Sequence, residues 1–338
     1  LGRVGRGALD RDLDVLVAAE VGLGRVEDLG APAALLRVPQ VHAQQVTGEE
    51  GRLLSPFARL DLEDDVTVVI GYDARHNSDV FARDTAEIMA GAGFHVLLAD
   101  SPVPTPVTAF GIGHYGAVAG VMVTASHNPP ADNGYKVYLG DGSQIVPPTD
   151  SRIAEQIEAV STRPVGDIAL GDDIELVGDD LIDAYVSRAT ELAGPVPDDV
   201  TWVYTAMHGV GTRVVRRLVE QAGLPEFVGV SEQLEPDPDF PTVSFPNPEE
   251  PGATDLLLEQ ARELQPDLLI ALDPDADRCM LGVPDSSEPT YGYRMLRGDE
   301  TGPLLAGHVV SRRVVALDGN KQPPAPVVAT TVVSSQLL

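Results

Sequence analysis

The sequence predicts an α/β protein: successive three-layer α/β domains with mixed, mostly parallel sheets, the third domain incomplete. Three observations carry this. Short apolar, β-branched runs alternate with longer stretches of helical periodicity, the pattern of strands joined by crossover helices. The strand-like runs are apolar throughout, as strands buried on both faces must be. Hydrophobic residues make up 43% of 338 residues, enough for more than one core.

The elements follow in order. Val66–Ile70 is the first strand, and Asn77 or Ser78 caps a helix running to about Gly91. Phe94–Ala99 is the second strand and ends in the loop DSPVPTP. A helix over Val107–Tyr115 leads to a third strand, Ala117–Val123. The pattern then repeats, with helix Asp179–Leu192, strand Thr201–Tyr204, helix Thr212–Ala222 and strand Phe227–Val230. A Pro-rich loop from Glu235 to Ala253 precedes helix Thr254–Glu263 and strand Leu268–Leu272. A third unit opens with a helix near Gly302–Arg313 and reaches a strand at Val327–Val333. The expected divisions are 1–62, without assigned function; 63–190, the first domain; 191–287, the second; and 288–338, the start of a third.

Charge and composition exclude several functions. With 23 Lys+Arg against 52 Asp+Glu the net charge is −29, so the chain has no general nucleic-acid surface and no attraction to anionic membranes. Ser101–Ala131 carries no formal charge, and Val107–Val123 is largely apolar. A membrane helix needs about 20 consecutive apolar residues, and this run is broken by Gly111, Gly113, Gly116 and Gly120. A buried helix and strand are expected instead. The N-terminus has no apolar signal segment, and the single Cys279 excludes an intrachain disulfide and a cysteine zinc cluster. These features predict a cytoplasmic protein. Nothing in the sequence sets an oligomeric state.

Three loops concentrate polar chemistry. TASHNPPADNGYK, Thr124–Lys136, follows a strand, at the carboxyl end where ligands bind in open α/β sheets. Ser126 in such a loop is a candidate nucleophile or phosphate carrier; on composition alone a structural turn is the readier reading. In LLIALDPDADR, Asp273, Asp275 and Asp277 are spaced by two, which in an extended chain puts all three on one side. Like charges held together call for a cation, and carboxylate oxygens suit Mg²⁺ or Mn²⁺; the rival is a solvated acidic turn. An EF-hand is excluded, because Arg278 and Pro284 stand where it needs Gly and Glu. Arg278 can grip a phosphate with its planar fork or form a salt bridge. In YTAMHGVGT, Gly209 and Gly211 permit a close approach of backbone to a ligand. His208 there reads as a packed or capping residue more readily than a catalytic one.

Taken together, TASHNPPADNGYK and DPDADR resemble the α-D-phosphohexomutase superfamily of phosphoglucomutases and phosphomannomutases. YDARHNS (Tyr72–Ser78), YTAMHGVGT, PDPDFPTVSFPNPEEPGA and GDETG (Gly298–Gly302) agree with it. The resemblance covers about residues 66–338 and implies a family of four domains, of which this sequence would supply two and the start of a third. The family's early Gly-rich, Arg-containing loop is not found in 1–62, nor are its sugar-recognition and C-terminal phosphate loops found downstream.

The resemblance implies that Ser126 carries a phosphoryl group and gives it to a small-molecule sugar phosphate, through a sugar bisphosphate that turns round and returns the other one. It implies that Ser126, Asp273, Asp275 and Asp277 hold one Mg²⁺. His127 and Lys136 would lie beside the moving group, Lys136 supporting proton transfer or charge neutralisation, and Arg278 would contact phosphoserine or substrate. Phosphoryl transfer depends mainly on positioning and charge neutralisation, which fits a chain whose only lysines are Lys136 and Lys321. Two other classes compete with the mutase: an inert Mg²⁺-binding fragment and a metal-assisted phosphohydrolase.

Overall fold

The computed structural model describes residues 66–316 apart from 163, 193–196 and 198. The segment 1–62 and the strand expected at Val327–Val333 lie outside the described residues. The first unit comprises β1 (Thr67–Tyr72), α1 (Ser78–Gly91), β2 (His95–Ala99), α2 (Thr105–Tyr115), β3 (Ala119–Val123), β4 (Tyr135–Leu139), α3 (Thr149–Ser161), β5 (Ile174–Val177) and α4 (Asp179–Leu192). The second comprises β6 (Trp202–Thr205), α5 (Thr212–Ala222), β7 (Val228–Gly229), α6 (Asp255–Leu264), β8 (Leu268–Leu272), β9 (Cys279–Pro284) and β10 (Tyr293–Leu296), the last pairing with β9 and so carrying this sheet past the boundary expected at 287; α7 (Gly298–Ala316) follows.

The first sheet has the order β4-β3-β1-β2-β5, parallel except for β4, which runs antiparallel to β3. Both of its faces are covered, as the apolar runs require. On one face Val69 and Met122 meet Val107 and Ile112 of α2 and Leu181 and Ile182 of α4. On the other, Val68 and Ile70 meet Ala82 and Ala86 of α1. The uncharged stretch forms α2 and β3, a buried helix and strand. Gly116, at φ 66°, ends α2: Ala117 N–H donates to the Ile112 carbonyl at 2.8 Å, the bond of a Schellman cap. Among the described residues no helix is long and apolar enough to cross a membrane.

The second sheet has the order β10-β9-β8-β6-β7, with β8, β6 and β7 parallel and β9 and β10 antiparallel. Its core is built on Val203, Leu269 and Leu257. The two units pack through α4 and α5: Val214 joins the first unit's core, Arg213 and Arg217 both pair with Asp179, and Arg217 also reaches Asp183 at 2.6 Å.

Candidate active site

The serine loop leaves β3 and returns as β4. Ser126 is buried and sits in the left-handed region, at φ 50°. Its N–H donates to Thr124 Oγ1 at 2.8 Å. Strand pairing sets Lys136 opposite Met122. The organiser of the loop is Arg75, from the YDAR segment after β1. Its guanidinium is buried and donates to four loop carbonyls: Ser126 and Pro129 at 2.7 Å, Asn128 at 2.6 Å and Asp132 at 3.3 Å. Asp73, also buried, accepts from Ser78 and Thr124 hydroxyls at 2.6 Å and lies 3.4 Å from Arg75 Nε. Burial raises the Asp73 pKa, opposed by those donors and by Arg75. Two aromatic rings of the second unit's Pro-rich loop close over this loop. Phe240 stacks on Arg75 at 4.9 Å and Phe245 meets His127 edge-on at 6.0 Å.

The metal-loop candidate leaves β8. The expectation of an extended run for Asp273–Asp277 is corrected here: the segment is a tight turn. Ala276 takes φ 55°, its N–H donates to the Asp273 carbonyl at 2.9 Å, and Arg278 N–H donates to Asp273 Oδ1 at 3.0 Å. The turn still converges the three carboxylates, with one oxygen of each lying within 4.8 Å of the others. Among the described residues this is the one group of three His, Cys, Asp or Glu side chains suited to a metal ion.

The two loops meet at Ser126, whose Oγ donates to Asp273 Oδ2 at 3.0 Å and lies 3.2 Å from His127 Nδ1. Lys136 Nζ donates to Asp275 Oδ2 at 2.7 Å and to Asp277 Oδ2. Thr105, at the start of α2, adds a hydroxyl donor to Asp275 and an N–H to its carbonyl at 2.9 Å. Arg278 makes only a loose pair, Nε to Asp277 Oδ1 at 3.9 Å.

The electrostatics follow from burial. Asp273 and Asp275 are 0% exposed. Burial and the neighbouring Asp275 and Asp277 raise the Asp273 pKa well above the carboxylate range. Asp275 is buried too, but Lys136 and Thr105 hold it below its ordinary value. Asp277 is raised by burial and by Asp275. Burial and the Arg278 charge push His127 down to about 4, so its imidazole is neutral near pH 7. Buried Asp275 Oδ1 and Asp277 Oδ1 have no hydrogen-bond partner. An oxygen-only set with two orphaned carboxylate oxygens fits a hard divalent cation.

All seven site residues expected from the sequence fall in or beside this cluster. Arg75, Asp73 and Thr105 were not expected. YDARHNS enters the sequence reading only as a segment that agrees with the family pattern, with no role for Arg75 or Asp73, although a buried Arg next to a buried Asp is its most informative feature. The glycines of GVGT have a different partner from the expected ligand. A Cβ at Gly209 would stand 2.3 Å from the Pro274 Cα and carbonyl oxygen, and Val210 N–H donates to that carbonyl at 2.8 Å. The close approach is to the metal loop itself. His208 is a packed residue: buried, with its ring 2.8 Å from Thr242 Oγ1.

Fold and site together define a class, an α/β protein in which a serine loop from one sheet meets a cluster of three carboxylates from the next. Sequence profiles identify its family. Phosphoglucomutase/phosphomannomutase alpha/beta/alpha domain I matches residues 53–164 and domain II matches residues 183–286. The chain belongs to the phosphoglucomutase/phosphomannomutase family, within the α-D-phosphohexomutase superfamily. It is 48% identical over 249 residues to a Haemophilus influenzae protein named "Probable phosphomannomutase", covering 73% of this chain and 51% of that protein. It is 36% identical over 310 residues to the phosphoribomutase of Saccharomyces cerevisiae, covering 84% of this chain and 49% of that one. A crystal structure of a phosphoglucomutase/phosphomannomutase family protein from Burkholderia thailandensis shares the fold, with a TM-score of 0.63 at 24% identity over 78% of this chain and 54% of that one. The chain spans about half the length of the curated relatives it matches.

Proposed function

We propose that this chain carries the phosphoserine and metal loops of a phosphosugar mutase, an intramolecular phosphotransferase of carbohydrate metabolism. The observation that supports this most is the seryl Oγ 3.0 Å from Asp273, at the rim of three converging carboxylates. Ser126 carries the phosphoryl group. The Oγ–P bond breaks as a sugar hydroxyl oxygen bonds to phosphorus, giving a sugar bisphosphate. That intermediate turns round and returns its other phosphoryl group to Ser126, exchanging the 1- and 6-positions of a hexose (or 1- and 5- of a pentose).

Ser126, Asp273, Asp275 and Asp277 would hold Mg²⁺, which when bound would supply charge neutralisation for the moving group. As the phosphoryl group leaves, the proton lost by the attacking sugar hydroxyl is matched by the one Ser126 Oγ takes up. On return Ser126 loses that proton, which His127, neutral and 3.2 Å from Oγ, is placed to accept, and the departing sugar oxygen takes one up. Lys136 acts as a cation close to the metal loop, and Arg278 faces phosphoserine or substrate. The single cysteine supports a cytoplasmic setting.

Incubation with a hexose 1,6-bisphosphate and Mg²⁺, read by intact mass, tests the proposal. We expect one stable phosphate on Ser126, absent from Ser126→Ala. Steady release of free phosphate instead would make the protein a phosphohydrolase, and no labelling at all would leave a binding fragment. Asp275→Asn should weaken Mg²⁺ binding at least about tenfold, as ligand-environment changes commonly do; an unchanged calorimetric titration overturns the metal assignment.

A further inference from the structure

Lys136 does something here that its place in a phosphoryl-transfer site does not require. Its ammonium bridges Asp275 Oδ2 and Asp277 Oδ2. Each carboxylate thereby spends one oxygen on the lysine and leaves the other, Oδ1, buried without a donor. The lysine side chain is itself 15% exposed. Its backbone is fixed by the β3–β4 register and cannot follow the metal loop. Buried carboxylates this close repel strongly, and Lys136 is the cation that stands between Asp275 and Asp277.

We propose that Lys136 is the site's built-in counter-cation: it holds Asp275 and Asp277 in place of the divalent ion and gives up those contacts when the ion binds. This rests on the metal reading above. An ion drawing on both carboxylates meets the ammonium already seated on them, and two cations in one buried pocket repel. Lys136 therefore keeps the metal-free loop assembled while weakening its hold on the metal. A lysine released by metal binding becomes available to other anionic groups in the site, so cation loading and lysine release are one event.

The chain's two lysines, Lys136 and Lys321, make this directly measurable. Acetylation of the full chain by a small amine-reactive ester, read by peptide mass spectrometry with and without Mg²⁺, should show Lys136 labelling several-fold faster with the metal, with Lys321 as the internal reference. In parallel, calorimetry should show Mg²⁺ binding to Lys136→Met at least about tenfold tighter than to the wild type. Lys136→Arg, which keeps the charge, should stay near the wild type. Lys136→Met should also unfold at lower temperature without metal and recover with it. Should that variant not fold, the labelling of the wild-type chain decides alone. Labelling of Lys136 that is unchanged or slowed by bound Mg²⁺, or Mg²⁺ affinity that falls in Lys136→Met, overturns the counter-cation role. Absence of Mg²⁺ binding by wild type and variant alike overturns the metal site itself, a distinct result.

Discussion

The loop from Thr124 to Lys136 is built around a buried guanidinium, whereas the loop from Asp273 to Arg278 is built around carboxylates. In the first, Arg75 satisfies four backbone carbonyls with one planar fork, and Phe240 from the other unit covers it. Both terminal nitrogens of Arg75 find acceptors within its own unit, and its Nε lies 3.4 Å from Asp73 Oδ2 without a hydrogen bond. In the second, the backbone is pressed against Gly209 and Val210, but the side chains depend on the other unit: Ser126, Thr105 and Lys136 all cross over to reach it. Even so, two carboxylate oxygens remain without donors. One loop has its backbone carbonyls tied to a single cation; the other is left short of positive charge. A loop tied down through its carbonyls presents a nucleophile at a fixed place, and a loop with orphaned carboxylate oxygens is suited to a cation.

Removing the guanidinium is the most damaging way to break this contrast. Arg75→Met leaves Asp73 buried without its charge partner and four carbonyls without donors. Breaking a buried pair by removing one side costs about 3–5 kcal/mol. Denaturant unfolding should show a loss of that size, and Arg75→Lys should not restore it, since a point charge cannot reach four carbonyls. A loss below about 1 kcal/mol, the scale of a surface pair, would mean that the loop is held by its prolines rather than by Arg75.

A smaller substitution sharpens the other half of the comparison. Gly209→Ala places a methyl against the Pro274 backbone, which has no flexible end to move aside. Overpacking of this kind costs about 1–3 kcal/mol. The shift falls on the metal loop, so Mg²⁺ affinity should drop together with stability, while the Arg75-centred loop is untouched. Loss of stability with an unchanged Mg²⁺ titration would show that the turn tolerates displacement of its backbone.

How much of this was legible beforehand differs between the loops for a physical reason. Asp273, Asp275 and Asp277 carry their chemistry within five residues, so spacing alone exposes it, even though the turn differs from the extended run expected. Arg75, Asp73 and Thr105 act on partners about fifty to 170 residues away, and no local pattern marks such contacts. The parallel strands β1, β2, β3, β6 and β8 were legible as apolar runs. The strands β4, β5, β9 and β10 were not. YKVYL continues directly from the serine loop, and only Tyr138 of it is buried. β9 alternates between buried and partly exposed residues after the Asp-rich turn. Helix α3 was also missed, because none of its residues is buried and its apolar stripe is thin.

The gentlest probe asks whether the two loops are kept together by their own contacts or by the helices behind them. Asp179 on α4 receives Arg213 and Arg217 from α5, and these hydrogen bonds hold its pKa below the ordinary carboxylate value of 3.8. A carboxylate with a depressed folded-state pKa contributes stability that is fully present above its unfolded value and disappears as pH falls through the lower, folded one. Asp179→Asn should therefore lower the melting temperature slightly at pH 7, and the gap to the wild type should close on acidification below pH 4. The pair is exposed, so added salt should shrink the same gap at neutral pH. If the gap persists in acid and in high salt, the helices are joined by the packing of Val214 against α4 rather than by charge. The meeting of serine and metal loops would then rest on apolar contacts that pH cannot reach.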